Sequence, residues 1–167
     1  MANLGVHFAI TQEETQMLKD ISDDRDRKYW LQDNIEPVYL EKKIDHFVES
    51  EKSWWLIHQI LVSPGVLAID KDNMLGLVIM GGEQLYLSDK TYHISLKMHS
   101  LIYDISDSLY LITSNIFLDN FNKTIKALKC DIAPELSNYT LEYFNEIKKF
   151  YLNHISSNRN IIFTVDL

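Results

Sequence analysis

The two ends of the chain constrain its fold more than anything between them. Leu4 to Ile10 is a short apolar run, and Ile161-Ile162-Phe163-Thr164-Val165 is rich in β-branched side chains. Such side chains suit a pleated, half-buried surface, so both segments read as strands. Most of what lies between them carries helical spacing. The simplest arrangement pairs the first strand with the last in one sheet and lays the helices over it. The expected fold class is α+β: a single small mixed domain over residues 1–167, with helices packed on a small β-sheet that includes the N- and C-terminal strands. A chain of this length buries about 70% of the surface its unfolded form exposes, and needs no metal or disulfide to be stable.

Local signals fill in the middle. Thr11-Gln12-Glu13-Glu14 is a capping-box pattern, which predicts a helix through Leu18 towards Ile21. Residues 22–34 are charged and read as partly helical and solvent-facing. Glu36-Pro37 suggests a restart, because proline is tolerated in a first helical turn. Val38, Glu41, Ile44 and Phe47 then recur at roughly helical spacing. Ser53 can cap a short helix, Trp54 to Val62, that Pro64-Gly65 ends. An apolar strand leads into Gly81-Gly82. Gln84 to Leu87 and Thr91 to Ile94 flank Ser88-Asp89-Lys90 as a hairpin. Ser95 can cap a helix through Ile105, and Ser114 another, with Phe117, Phe121, Ile125 and Leu128 as its apolar stripe. Ala133-Pro134 interrupts, and Asn138 to Ser156 is the clearest helix.

Charge sets the expected partners. The formal net charge is −8 and the sequence pI about 5.1. Phosphate backbones and anionic membranes repel such a chain, so neither nucleic acid nor membrane is an expected partner. Arg25, Arg27 and Lys28 form no basic patch, because Asp23, Asp24 and Asp26 interleave them. A basic partner protein is favoured instead. The single cysteine, Cys130, cannot form an intramolecular disulfide, which suits a reducing compartment. The amino terminus lacks a signal-peptide pattern. The longest apolar run, Met74 to Met80, is too short to span a membrane. The expected location is a bacterial cytoplasm.

Four stretches together resemble the YfbM-like family, a bacterial family of unknown function. They are the opening strand with Gly5 and its capped helix, Glu51-Lys52-Ser53-Trp54-Trp55-Leu56-Ile57-His58, Ile79-Met80-Gly81-Gly82-Glu83, and the closing helix and strand from Tyr143 to Val165. Departures exist: Tyr92 is followed by His93 rather than glycine, and Ala133-Pro134 stands where relatives carry Tyr-Pro. The resemblance implies a small α+β cytosolic domain and transfers no catalytic residue.

Trp54, Trp55 and His58 are the most distinctive side-chain cluster. On a helix, Trp54 and His58 share a face, while Trp55 lies about 100° round. The cluster is either a pocket wall able to stack on a planar or cationic group, or core packing in which the histidine satisfies a carbonyl. Gly81 and Gly82 either let a backbone approach a ligand or serve a tight turn needing positive φ. Asp23, Asp24 and Asp26, with Asp33, Glu36, Glu41 and Glu49 nearby in sequence, form either a solvated face or a surface complementary to a basic partner. Histidine and cysteine spacings match no metal motif. No catalytic residue, metal or cofactor is expected.

Two functions follow as expectations. The first is a non-catalytic binding protein, most concretely an immunity protein that docks onto a secreted bacterial toxin; 19 Phe, Trp and Tyr residues could supply interface anchors. The alternative is a small-ligand-binding domain or enzyme with a pocket near Trp54 and His58.

Overall fold

The structure, a computed structural model, describes residues 4–62, 74–129 and 135–167. Cys130, Pro64-Gly65 and Ala133-Pro134 lie outside the described residues.

Strand β1 (Gly5–Ile10) leads into α1 (Gln12–Asp20). The Thr11 box forms in full: the Glu14 amide donates to Thr11 Oγ1 at 3.1 Å, and the Thr11 amide donates to Glu14 Oε2 at 2.8 Å. A long helical rod follows: α2 (Asp24–Trp30), a π turn over Leu31–Ile35, and α3 (Glu36–Lys42). Sequence reading expects a restart at Pro37, but the helix does not stop. Proline has no N–H for the carbonyl four residues back, and its ring crowds that carbonyl. The widened turn just before Pro37 relieves both.

Helical spacing also misleads beyond Lys42. Ile44–His46 is a single 3-10 turn, and Phe47 opens β2 (Phe47–Glu51), a strand the Val38–Phe47 periodicity conceals. Then come α4 (Trp54–Leu61) and the short α5 (Met74–Leu77). The apolar segment before Gly81 is therefore a helix and turn rather than a strand. Strand β3 (Glu83–Gln84) pairs with β4 (Tyr92–Lys97), so the first arm of the hairpin ends at Gln84 rather than running to Leu87. Ser95 sits inside β4, so the next helix, α6 (His99–Tyr110), starts after Met98 instead. Thr113, not Ser114, caps α7 (Ser114–Leu128), accepting from the Ile116 amide. The chain closes with α8 (Leu136–His154) and β5 (Asn160–Asp166).

The five strands form one antiparallel sheet in the order β2-β1-β5-β4-β3. The last strand thus takes the centre and pairs with the first, as the two apolar ends predict. Alternation sends side chains to two layers. Phe8, Ile10, Ile94, Leu96 and Ile162 meet Leu18, Leu31, Ile35 and Tyr39 of α1 and the rod. Ala9, Ile161, Phe163 and Val165 face α4 to α8, where Ile57, Ile105, Phe144 and Ile147 close the other layer. Helices on both faces explain why β5 is buried at every position before Asp166 rather than at every second one.

Candidate functional site

The helix-rich face of the sheet carries an unusual set of polar groups. Alternation along β4 places His93, Ser95 and Lys97 on that face, and alternation along β1 places His7 there. Phe163 of β5 lies between them, paired with His7 on one side and Ser95 on the other. The turn after α5 lowers its carbonyls onto this set. Ser95 Oγ donates to Ile79 O at 3.1 Å, and Lys97 Nζ donates to Ile79 O at 2.5 Å and to Ser95 Oγ at 2.6 Å. His7 Nε2 and Tyr151 Oη both donate to Val78 O, at 2.9 and 2.8 Å.

Lys97 has 0% exposure, and none of its bonds reaches a carboxylate. A buried cation without a carboxylate is costly, so burial favours the uncharged amine. Burial holds its pKa well below the ordinary lysine range. The geometry fits a neutral amine, whose two hydrogens have two acceptors. The histidines behave alike. Burial, the largest cause, pushes His7 down to about 3 and His93 to about 4, and lowers His58. His7 Nδ1, His58 Nδ1, His93 Nε2 and Ser53 Oγ are buried without a partner among the described residues.

Four of the residues singled out from sequence gather at this nest. The Trp54 ring lies 6.1 Å from Phe163, and Lys97 Nζ is 5.6 Å from the same ring. His58 lies within electrostatic range of both Lys97 and His93. Gly82 has φ +112°, and a Cβ there would stand 2.4 Å from Leu96 O; a Cβ on Gly81 would stand 2.5 Å from Gly76 O. Gly82 therefore lets the turn pack closely on β4, and Gly81 lets it fold back on α5. Trp55 points elsewhere. It is 41% exposed and walls a separate slot of about 170 Å³ with Leu136 and Tyr139. Sequence reading missed Lys97 and His7. The signal was the alternation His93-x-Ser95-x-Lys97, hidden by ending the strand at Ile94.

The acids lie on the opposite layer, on the rod. Asp23 caps α2, accepting from the Arg25 and Asp26 amides at 2.9 and 3.2 Å. Asp24 ties the rod to the β3–β4 loop through the Leu87 amide at 2.5 Å and the Ser88 hydroxyl. Those bonds hold its carboxyl below the usual range. Asp26 is exposed. Helix α2 buries none of its residues, so its bases rather than its core hold it down. Arg27 donates to Leu85 O, Lys28 lies over the Tyr92 ring at 4.4 Å and reaches Asp166 at 3.4 Å, and Lys43 bonds Glu14 at 3.1 Å. With those cations turned to the body, Asp26 and Asp33 face solvent beside Tyr29, which is 61% exposed. Leu40, Glu41 and Ile44 extend the exposed side, Ile44 at 69%.

A groove of about 330 Å³ opens where the rod ends, between residues 44–48 and α8. His46 and His154 line it, with His46 Nδ1 at 3.0 Å from His154 Nε2 and His154 Nδ1 at 2.7 Å from Phe150 O. Among the described residues, no three His, Cys, Asp or Glu side chains group so as to hold a metal ion, and no helix is long and apolar enough to cross a membrane.

Comparison with known proteins gives family and fold. No curated protein matches the chain significantly. Among solved structures, the crystal structure of a protein of unknown function, YfbM from Escherichia coli, superposes with a TM-score of 0.63 at 15% identity. The match covers 97% of this chain and 99% of that one. At that identity the likeness shows a shared fold, the YfbM-like architecture that the motifs imply. The family model for a domain of unknown function, DUF1877, matches residues 1–164, and the chain therefore belongs to the DUF1877 family.

Proposed function

We propose that the chain is a non-catalytic binding protein of the bacterial cytoplasm that docks onto a basic partner protein through its acidic rod. The sharpest form of the reading is an immunity protein that neutralises a secreted toxin by covering its active site. One observation carries it: the rod's contacts turn Arg27, Lys28 and Lys43 inward and leave Asp26, Asp33 and Glu41 outward with Arg25 and Lys42, interleaved with exposed Tyr29, Leu40 and Ile44. Outward carboxylates steer a basic partner and fix its register, while an exposed tyrosine supplies an anchor of low conformational cost. Tagged protein should capture one stoichiometric basic protein from its own organism. The triple variant D26N/D33N/E41Q should weaken that capture at least about tenfold, and raised salt should mimic the variant. Capture that is indifferent to both would overturn the reading.

A second reading rests on the nest: a small-ligand or catalytic site beside Trp54 and His58. The unpartnered ring nitrogens of His7, His58 and His93 around a neutral amine favour it, because such groups tend to collect at functional sites. On this reading His58→Ala abolishes function with the melting temperature nearly unchanged. On the first reading it leaves partner capture intact.

A further inference from the structure

The groove at the end of the rod holds two imidazoles whose hydrogen bonds run in one direction. Phe150 O can only accept, so His154 carries its proton on Nδ1 and offers a lone pair at Nε2. His46 must then donate from Nδ1 to that lone pair. Its own lone pair is left on Nε2, pointing away from His154, with no partner among the described residues. Two carboxylates, Asp45 and Glu146, share the groove wall.

Of the cations near the pair, Arg159 is engaged by Ala9 O at 2.9 Å and Tyr39 Oη at 3.2 Å, and Lys43 by Glu14. Lys149 is the one groove-lining cation with no bond among the described residues. The walls thus present an outward imidazole acceptor and two carboxylates against a single lysine.

We infer that this groove binds the guanidinium of an arginine side chain projecting from the partner protein, with His46 Nε2 as acceptor and Asp45 and Glu146 as counter-charges. The inference rests on the docking reading above, since the groove begins at Ile44 where the rod's exposed side ends. An arginine fits better than a lysine, because its planar fork can meet a carboxylate and a ring nitrogen together. The contact is also acid-labile. Burial, then Arg159, then His154 itself lower His46 against Asp45, and burial and Arg159 lower His154 against the Phe150 carbonyl and Asp45. Both rings are uncharged at neutral pH. Uptake of a proton by the pair turns His46 Nε2 into a donor and sets a positive charge against the guanidinium.

The test uses the full-length protein and N-acetyl-arginine amide, with N-acetyl-citrulline amide as the uncharged isostere. Nitrogen–proton correlation spectra of the imidazoles come first. Both His46 and His154 should carry the proton on Nδ1 at neutral pH, and a proton on His46 Nε2 overturns the acceptor assignment. The arginine probe should then shift the His46 resonances and bind at least about tenfold tighter than citrulline. Its affinity should fall as the pH drops through the titration of the pair. Glu146→Gln, on the outer side of α8, should weaken it several-fold with the fold intact, and Lys149→Gln should tighten it. Equal binding of citrulline, or no groove shift with either probe, overturns the inference. The two proposals fail separately. Partner capture that depends on the rod but ignores E146Q removes the groove alone. Arginine binding in a chain that captures no partner removes the docking reading alone.

Discussion

The nest around Lys97 and the rod from Asp24 to Lys42 treat charge in opposite ways. In the nest, one lysine and three histidines sit together without an acid, and the result is neutralisation: every one of these bases has its pKa lowered, burial being the first cause. On the rod, acids and bases alternate along the sequence; Arg27 and Lys28 bond to the body, while Asp26, Asp33 and Glu41 stay in solvent with Arg25 and Lys42. The interior suppresses charge because solvating it there costs too much. The surface keeps charge and gives it an orientation. Polar residues of the first kind brace the fold; those of the second are free to meet another molecule.

The largest expected effect tests the nest. Lys97→Ala should cost about 2–5 kcal/mol, as removal of a long buried side chain does. Lys97→Met keeps the volume, carries no charge, and should cost less than about 1.5 kcal/mol. Denaturant midpoints at fixed slope decide between them. If methionine proves as damaging as alanine, the amine's bonds to Ile79 and Ser95 outweigh packing.

Acid should expose the same contrast. His7 and His93 titrate near 6.5 when unfolded but about 3 and about 4 when folded. Between those values the unfolded chain binds more protons. The stability these rings contribute is therefore complete above pH 6.5 and is lost as pH falls towards 4 and then 3. Lys97 extends the trend upward: its folded pKa is depressed, so stability rises as pH climbs towards the ordinary lysine pKa. Melting temperatures across pH should show this alkaline rise in the native protein and not in Lys97→Met.

Much of this architecture is local in sequence, and the local part is legible. Thr11 and Glu14 form their box within four residues. The terminal strands announce themselves because each carries a short apolar run, β-branched-rich in β5. The misreadings share a cause: one pattern fits two structures until a distant partner decides. Val38, Glu41, Ile44 and Phe47 keep helical spacing, yet Phe47 pairs with Phe8 as strand. Ser95 suits a helix cap, yet it pairs with Phe163. The nest could not be read, because nothing local says that a lysine will be buried. His46 and His154, 108 residues apart, meet only through the fold. Trp54, His58, Gly81 and Gly82 were found because their residue types are rare or sterically demanding. That is enough to locate the nest but not to name its centre.

A smaller effect separates the bound from the free acids of the rod. Asp24→Ala removes the acceptor for the Leu87 amide and the Ser88 hydroxyl. Amide exchange should quicken in residues 85–89 and at the start of α2, where no buried side chain holds the helix. Asp26→Asn should leave exchange in that loop unchanged. If Asp24→Ala leaves it unchanged too, Arg27 and Lys28 alone anchor the rod.

The least effect on the fold belongs to the acids through which we propose docking. Asp26→Asn and Asp33→Asn alter exposed groups with no cap or buried partner, so unfolding free energy should move by no more than about 0.5 kcal/mol. Association with a basic partner should nevertheless slow, and its rate should become less sensitive to salt, because steering acts through outward charge before contact. Dissociation should change little, since rim charges act mainly on the approach. A change in stability without a change in association rate would put these carboxylates with Asp23 and Asp24 as supports of the helix. An unchanged fold with a slower approach would mark the rod as the side of the molecule turned towards its partner.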